Sequence, residues 1–317
     1  MTMSLSELIP GLYIVRGKFA DEFGFISSYL IVDNDSVLVI DPGTAGHPGD
    51  RITSAVKSIG LNPKSDIIGI LCTHGHPDHV GGVFRLNKAT GAHVMIHRND
   101  AGLLEDPSTF IKERLSLDFA ERLQMKLDKQ PLRVNYKGLN PDRLIEHGDR
   151  ITVGEVTLRV ILTGGHSSGH CAFYEEERKI LFSGDEVNNF PNDPRKFYMD
   201  LSGNISAKSA ALSAFMDLGV EYLLPSHDTP VLFNEVRIII EQVRDSVIHF
   251  QDSILYHLGA REEADVEQLM FDIRQARSIP IPTSYPHLLG TTIQVVLWGL
   301  EKAGLARETE KGVWSVS

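Results

Sequence analysis

The chain has 317 residues, 42% hydrophobic and 23% charged, with 31 Lys and Arg against 42 Asp and Glu for a formal net charge of -11. That length supports one large domain or a core domain with a small appendage, and that composition excludes disordered and fibrous chains. An acidic chain with no run of basic residues needs a local basic patch to bind a polyanion, and two cysteines, Cys72 and Cys171, exclude a disulfide scaffold and suit a reducing cytosol.

In chain order, the start "MTMSLSELIPGLYIV" lacks a basic region followed by a long apolar run. No later segment approaches the roughly 18 apolar residues of a membrane span, so a cytoplasmic protein without membrane contact is expected. "LYIV" (12–15), "SYLIV" (28–32) and "VLVI" (37–40) read as neighbouring strands of a mostly buried sheet, and "GDRITSAVKSI" (49–59) has helical spacing. "IIGILC" (67–72) is a further strand, followed after the next segment by "HVMI" (93–96). Residues 100–128, with Phe110, Ile111, Leu115, Phe119, Leu123 and Met125, suggest amphipathic helices, either an insertion packed on the core or a lid. "RITVGEVTLRVIL" (150–162) reads as strands about a turn at Gly154, and "KILFSGD" (179–185) as a strand ending in an acid. A helix through "AALSAFMDLG" and a short strand "EYLLP" follow. From 233 the chain is mainly helical and ends in a hairpin, "ARETEKGVWSV". Two units are expected: a catalytic domain over 1–232 and, over 233–317, a winged-helix-like appendage or an ordinary helical cap.

The stretch "LCTHGHPDHVGG" follows the 67–72 strand and holds His74, His76, Asp78 and His79. Imidazoles and carboxylates suit first-row transition metals, and ligands on loops beside an open position are what metal catalysis needs. His74 and His76 can turn to one ion, while Asp78 and His79 face a second. His166 in "TGGHSSGH", Asp185 in "LFSGDE" and His227 in "LLPSHD" each lie where a strand stops, which places them at one sheet edge beside the cluster. Together they are a two-metal inventory.

This order of motifs, from Asp41 in "VIDPGT" through the H-x-H-x-D-H block to His166, Asp185 and His227, resembles the metallo-β-lactamase superfamily over roughly residues 10–230. The resemblance implies a four-layer αβ/βα sandwich with the metal site at the sheet edge. It implies one divalent ion on His74, His76 and His166 and another on Asp78, His79 and His227, with Asp185 bridging. Zinc is expected, with iron or manganese as alternatives. Asp41 is expected to orient the loop through hydrogen bonds, or simply to cap its turn. Asp78 and His170 are the catalytic candidates, His170 as a proton donor or substrate contact. His47, His93, His97, His147, His249, His257 and His287 match no motif position and are assigned to surface or core.

A pair of ions roughly 3.5 to 4 Å apart can hold a nucleophilic hydroxide between them. Dizinc β-lactamases carry a cysteine where Asp185 stands and are exported; flavodiiron reductases carry a glutamate where His76 stands, and a flavin domain. Glyoxalase II resembles this chain at Asp185 and "GHSSGH", although its Pro-Gly is replaced by Gly164-Gly165. The helical tail looks similar to a branch containing an endoribonuclease and polyketide-releasing thioesterases. In that tail Lys302, Arg307 and Lys311 are offset by Glu301, Glu308 and Glu310, unlike a helix that reads nucleic acid, so it is expected to wall the substrate pocket or form a homodimer contact. A thiolate also departs without a general acid, and apart from His170 none is evident. The expected function is a binuclear hydrolase of a small thioester or ester; the alternatives are a single-strand endoribonuclease and a mononuclear iron sulfur dioxygenase using His74, His76 and His166. Asn188, Asn189, Phe190, Arg195 and Tyr198, in "EVNNFPNDPRKFYMD", are candidate substrate contacts or members of a plain surface loop.

Overall fold

The computed structural model describes residues 5–20, 23–46, 48–115, 136–190, 193, 195–276 and 285–317. Seven strands, β1 (Leu5–Ile9), β2 (Leu12–Ala20), β3 (Gly24–Asp33), β4 (Ser36–Ile40), β5 (Ile67–Leu71), β6 (His93–His97) and β7 (Arg143–Ile145), lie in sequence order in one sheet. β1 to β4 pair antiparallel, and β4 to β7 run parallel. Parallel pairing requires crossovers. Between β4 and β5 these are α1 (Ile52–Ser58) and α2 (Pro63–Asp66), and between β5 and β6 they are α3 (Pro77–Val80) and α4 (Val83–Thr90). After β6 comes α5 (Arg98–Glu105).

The second sheet has six strands in the order β13-β12-β11-β10-β9-β8. They are β8 (Arg150–Val153), β9 (Val156–Leu162), β10 (Cys171–Glu175), β11 (Ile180–Gly184), β12 (Tyr222–Pro225) and β13 (Val231–Leu232). Gly154, at φ 57°, makes the tight β8–β9 turn expected of it. Only β11 and β12 pair in parallel here, joined through α6 (Ile205–Asp217). The helix starts at Asn204, whose side chain accepts a hydrogen bond from Ala207 N at 3.0 Å.

Burial on both faces explains the continuous apolar run of "VLVI". Leu38 and Ile40 face inward with Leu12, Ile14 and Tyr29 against Val160, Phe173 and Phe182 of the second sheet. Val37 and Val39 face outward under Val56, Val83 and Leu86 of the crossover helices. Leu181 and Leu223 face the other outer layer, where they meet α6 and the C-terminal helices. The result is helices, sheet, sheet, helices.

The C-terminal region comprises α7 (Asn234–Arg261), β14 (Ala264–Asp265), α8 (Val266–Ala276), α9 (Pro286–Lys302), β15 (Ala306–Glu310) and β16 (Val313–Val316). Its strands form a small sheet, β14-β16-β15, which contains the terminal hairpin. Val236, Ile240 and Val243 of α7 and Ile293 and Val296 of α9 share one apolar core with Leu212 and Phe215 of α6. No described helix is long and apolar enough to cross a membrane. Of the 100–128 segment, α5 and one π-helical turn, Phe110–Arg114, are seen; Phe119, Leu123 and Met125 lie outside the described residues.

The two sheets are stitched together at one edge. Cys171 N donates to Thr73 O at 2.8 Å, Ser27 N to Ser226 O at 2.8 Å and Asp228 N to Phe25 O at 2.9 Å. β4, β5, β11 and β12 all deliver their C-terminal ends there, and β10 begins there.

Candidate metal centre

At this edge the chain leaves β5, crosses Thr73 and His74, and turns at Pro77 into α3, which carries Asp78 and His79 in its single turn. Pro77 occupies the first helical position, where its missing N–H costs nothing. The loop therefore presents its first two histidines before the turn and its last two ligands on it. The ligand atoms of His74, His76 and His166 lie within 4.8 Å of one another, as do those of Asp78, His79, Asp185 and His227. All seven side chains are buried. Asp185 sits between the groups: its Oδ2 is 3.7 Å from His166 Nε2 and 3.5 Å from His227 Nε2, and its Oδ1 is 3.5 Å from His79 Nε2.

The rings are aimed by what holds their other nitrogens. Asp41, at φ 47°, accepts from Thr73 N at 2.7 Å and from the Thr73 hydroxyl at 2.6 Å, so that hydroxyl is left to accept from His74 Nδ1 at 3.0 Å. His79 Nδ1 donates to Asp41 Oδ2 at 2.9 Å, His76 Nε2 to Asp200 Oδ2 at 2.9 Å and His166 Nδ1 to Tyr198 O at 2.9 Å. Each bond turns the opposite nitrogen into the cluster, as carboxylate–histidine pairs do around metals.

Whether this set fits metal ions is tested by its unpaired atoms. His74 Nε2, both Asp78 oxygens, His79 Nε2, Asp185 Oδ1 and both His227 nitrogens are buried without a hydrogen-bond partner. Buried polar atoms are otherwise almost always paired, and a cation is the partner this nitrogen and oxygen set fits.

Electrostatically the groups are opposites. Burial, reinforced by neighbouring imidazoles, holds His74 well below the usual histidine range and His166 at about 3. Both are neutral at pH 7. In the second group burial opposes charge, but Asp78, Asp185 and, for His79, Asp41 overturn it: His79 is raised well above its ordinary value and His227 to about 9. The same pairing holds the Asp78 and Asp185 carboxyls down against the effect of burial.

A bracing network, not foreseen in the sequence, surrounds the histidine trio. Asp100 accepts from Gly75 N at 3.1 Å and Ser167 Oγ at 2.8 Å, and Asp200 from His76. Arg114, at the end of the π-helical turn, lies 3.2 Å from Asp100 and 3.4 Å from Asp200 and donates to Asn99 O at 2.8 Å. Beneath the centre, buried Lys208 pairs with buried Glu186 at 3.0 Å, and Glu186 accepts from Thr163 Oγ1 at 2.7 Å and His166 N at 3.2 Å.

The sequence-predicted catalytic and substrate residues divide. Asp78 lies in the second ligand group. His170 is fully buried; its Nδ1 meets Thr163 Oγ1 at 2.8 Å and its Nε2 accepts from Asp185 N at 2.9 Å, so both nitrogens are engaged within the protein. It brackets the Asp185 backbone, and Gly184, at φ 55°, leaves room for the ring where an added Cβ would strike it. Asn188 accepts from His227 N at 3.0 Å and Asn189 donates to Thr229 O at 3.0 Å; both brace the His227 loop. Phe190 stacks on His227 at 5.6 Å, and exposed Arg195 pairs with Asp193 at 2.7 Å. Tyr198 donates to Asp185 Oδ2 at 2.6 Å and, alone of these candidates, lines the cavity described next.

That cavity is a narrow chamber with His76, Tyr198 and Asp200 at one side. Phe19, Phe23, Phe110 and Leu115 supply apolar walls, and Tyr285, His287 and Leu288, at the start of α9, supply another. Among the described residues, none of those lining it is Lys or Arg. The tail thus walls the chamber with the start of its last helix, while Trp314 of the hairpin is buried in the helical core.

A sheet-edge centre with two buried groups of His and Asp, each able to hold a metal ion, on a four-layer αβ/βα sandwich defines a class of metal-binding hydrolase folds. Residues 21–227 match the metallo-beta-lactamase superfamily, and the chain belongs to it. It is 34% identical over 151 residues to a hydroxyacylglutathione hydrolase of Pseudomonas putida, covering 47% of this chain and 42% of that one. It is 26% identical over 233 residues to the acyl-coenzyme A thioesterase MBLAC2 of Gallus gallus, covering 68% of this chain and 77% of that one. The first curated relatives it matches are spanned over less than two thirds of their own length, 64%, 64% and 42%. Among solved structures, a metallo-beta-lactamase family protein of Thermus thermophilus shares the fold at a TM-score of 0.75 and 21% identity, over 98% of this chain and 100% of that one.

Proposed function

We propose that this protein hydrolyses thioesters or activated esters with an apolar acyl group, using two divalent metal ions, zinc foremost. The observation that carries the reading is the aromatic and aliphatic chamber placed directly against His76, with no cationic side chain among its described lining residues. Its lining suits an acyl chain better than a phosphodiester backbone, and the narrow chamber would have to widen to admit one. The names of two relatives, an acyl-coenzyme A thioesterase and a hydroxyacylglutathione hydrolase, support the same direction.

His74, His76 and His166 would hold one ion and Asp78, His79 and His227 the other, with Asp185 between the two groups. Two such ions would acidify water toward a pKa of about 7 and polarise a carbonyl oxygen. Asp78 has both oxygens free of hydrogen bonds, so one would be available to a metal ion and the other to orient a water molecule. Burial and Asp185 raise the Tyr198 phenol well above its ordinary value, so it stays protonated and keeps Asp185 oriented by donating to it. A thiolate, with an ordinary pKa of about 8.5, leaves without a proton donor, which suits a centre whose nearby His170 has none to offer.

The test is a panel of acyl-coenzyme A, acyl-glutathione and single-stranded RNA substrates. Thioester turnover is expected, abolished by a chelator, by His76→Ala and by Asp185→Asn. RNA cleavage without thioester turnover would replace this reading with the nuclease one, and full turnover after complete metal removal would contradict both.

A further inference from the structure

His287 stands out in the chamber wall. It is 1% exposed and lines the cavity from the start of α9, yet its Nδ1 is buried with no hydrogen-bond partner among the described residues. Burial lowers its pKa to about 4, so the ring is a neutral imidazole, one nitrogen donating and the other accepting. A neutral ring does not recruit a carboxylate or phosphate by charge. Its neighbours in the wall, Leu288, Leu115 and Phe110, are apolar, and a leucine or phenylalanine at 287 would suit a plain alkyl chain better than an unpaired imidazole.

Its position relative to the ligand groups narrows what it could meet. Phe23 packs on His227 at 5.7 Å, Tyr285 stacks on Phe23 at 5.4 Å, and His287 stands edge-on to Tyr285 at 6.0 Å. His287 is thus linked to the centre only through intervening rings. No hydrogen bond or ring contact joins it to any candidate ligand among the described residues.

Resting on the proposed hydrolase reading, we propose that His287 is a specificity-determining residue: the acyl group this chamber takes carries a hydroxyl or keto oxygen remote from the thioester carbon, and His287 hydrogen-bonds to it. A hydroxyl serves either tautomer of the ring, since it both donates and accepts.

The experiment uses the metal-loaded protein and acyl-coenzyme A thioesters of one chain length, unsubstituted or with a single hydroxyl or keto group moved along the chain. Wild type is expected to favour one oxygenated position by at least about tenfold in kcat/KM over the unsubstituted chain. His287→Leu is expected to collapse that ratio, and His287→Asn, which keeps a donor and an acceptor, to restore part of it. Because the ratio compares two substrates on one sample, partial misfolding of a variant cancels. Binding of the corresponding free acids by calorimetry supplies a readout independent of turnover. The same preference in binding, lost in His287→Leu, supports the inference even if no thioester is cleaved, an outcome that would remove only the hydrolase reading. Equal handling of oxygenated and unsubstituted chains by wild type, or a preference that survives in His287→Leu, overturns it.

Discussion

His74, His76 and His166 meet as three imidazoles, two of them held neutral by burial and by each other's proximity, whereas Asp78, His79, Asp185 and His227 meet as two carboxylates facing two imidazoles that keep their protons. The first group is a ready set of nitrogen lone pairs. The second is satisfied internally by charge, and uptake of a cation there must displace protons. The contrast extends to their support. The trio is braced by a buried arginine and two aspartates, while the quartet leans on Asp41 and on the stitching between the sheets. One short loop therefore supplies two half-sites of different character, and each can be disturbed separately.

The largest effect is expected from the residue that faces both. Asp185→Asn removes a carboxylate shared by the half-sites and should abolish turnover and lower total metal content. His227→Ala should cost the quartet its ion while the trio keeps its own. A smaller effect is expected from the trio's bracing. Arg114→Met or Asp200→Asn should weaken one metal equivalent by about 10- to 100-fold and leave the other unchanged, as read by competition with a chromogenic chelator. Arg114→Lys should not rescue, because an ammonium cannot fork two carboxylates. Equal weakening of both equivalents would erase the distinction drawn between the half-sites.

The smallest effect is a matter of protons. The His79 and His227 pKa values are raised, so both rings are protonated at pH 7 and must lose their protons to bind metal; those of His74 and His166 are lowered, so neither has one to lose. Apparent affinity of the quartet should therefore rise as pH climbs toward about 9. Calorimetry in buffers of different ionisation enthalpy measures the protons released with each equivalent. Identical release for both would contradict the assignment.

The seven ligand candidates were legible in the sequence because each is a His or Asp at the end of an apolar strand, and strand ends gather at one edge. Their bracing was not. Asp200 is 124 residues from the His76 it holds, and Arg114 is 86 residues from Asp200, so no local pattern pairs them. His170 is a candidate proton donor or substrate contact in the sequence, and only the fold shows both its nitrogens engaged by Thr163 and the Asp185 backbone. His287, unremarkable in sequence, acquires a place only when the start of α9 meets Phe19, Phe23 and Phe110 around one cavity. The strand "LSELI", with its partly exposed pattern, was too weakly alternating to read as β1.

The central claim is that this edge can hold two ions in two distinct half-sites, and metal content per chain tests it most directly. The account predicts about two divalent equivalents in the purified wild-type protein and about one in His227→Ala. A single equivalent in wild type, unchanged in His227→Ala, would contradict it.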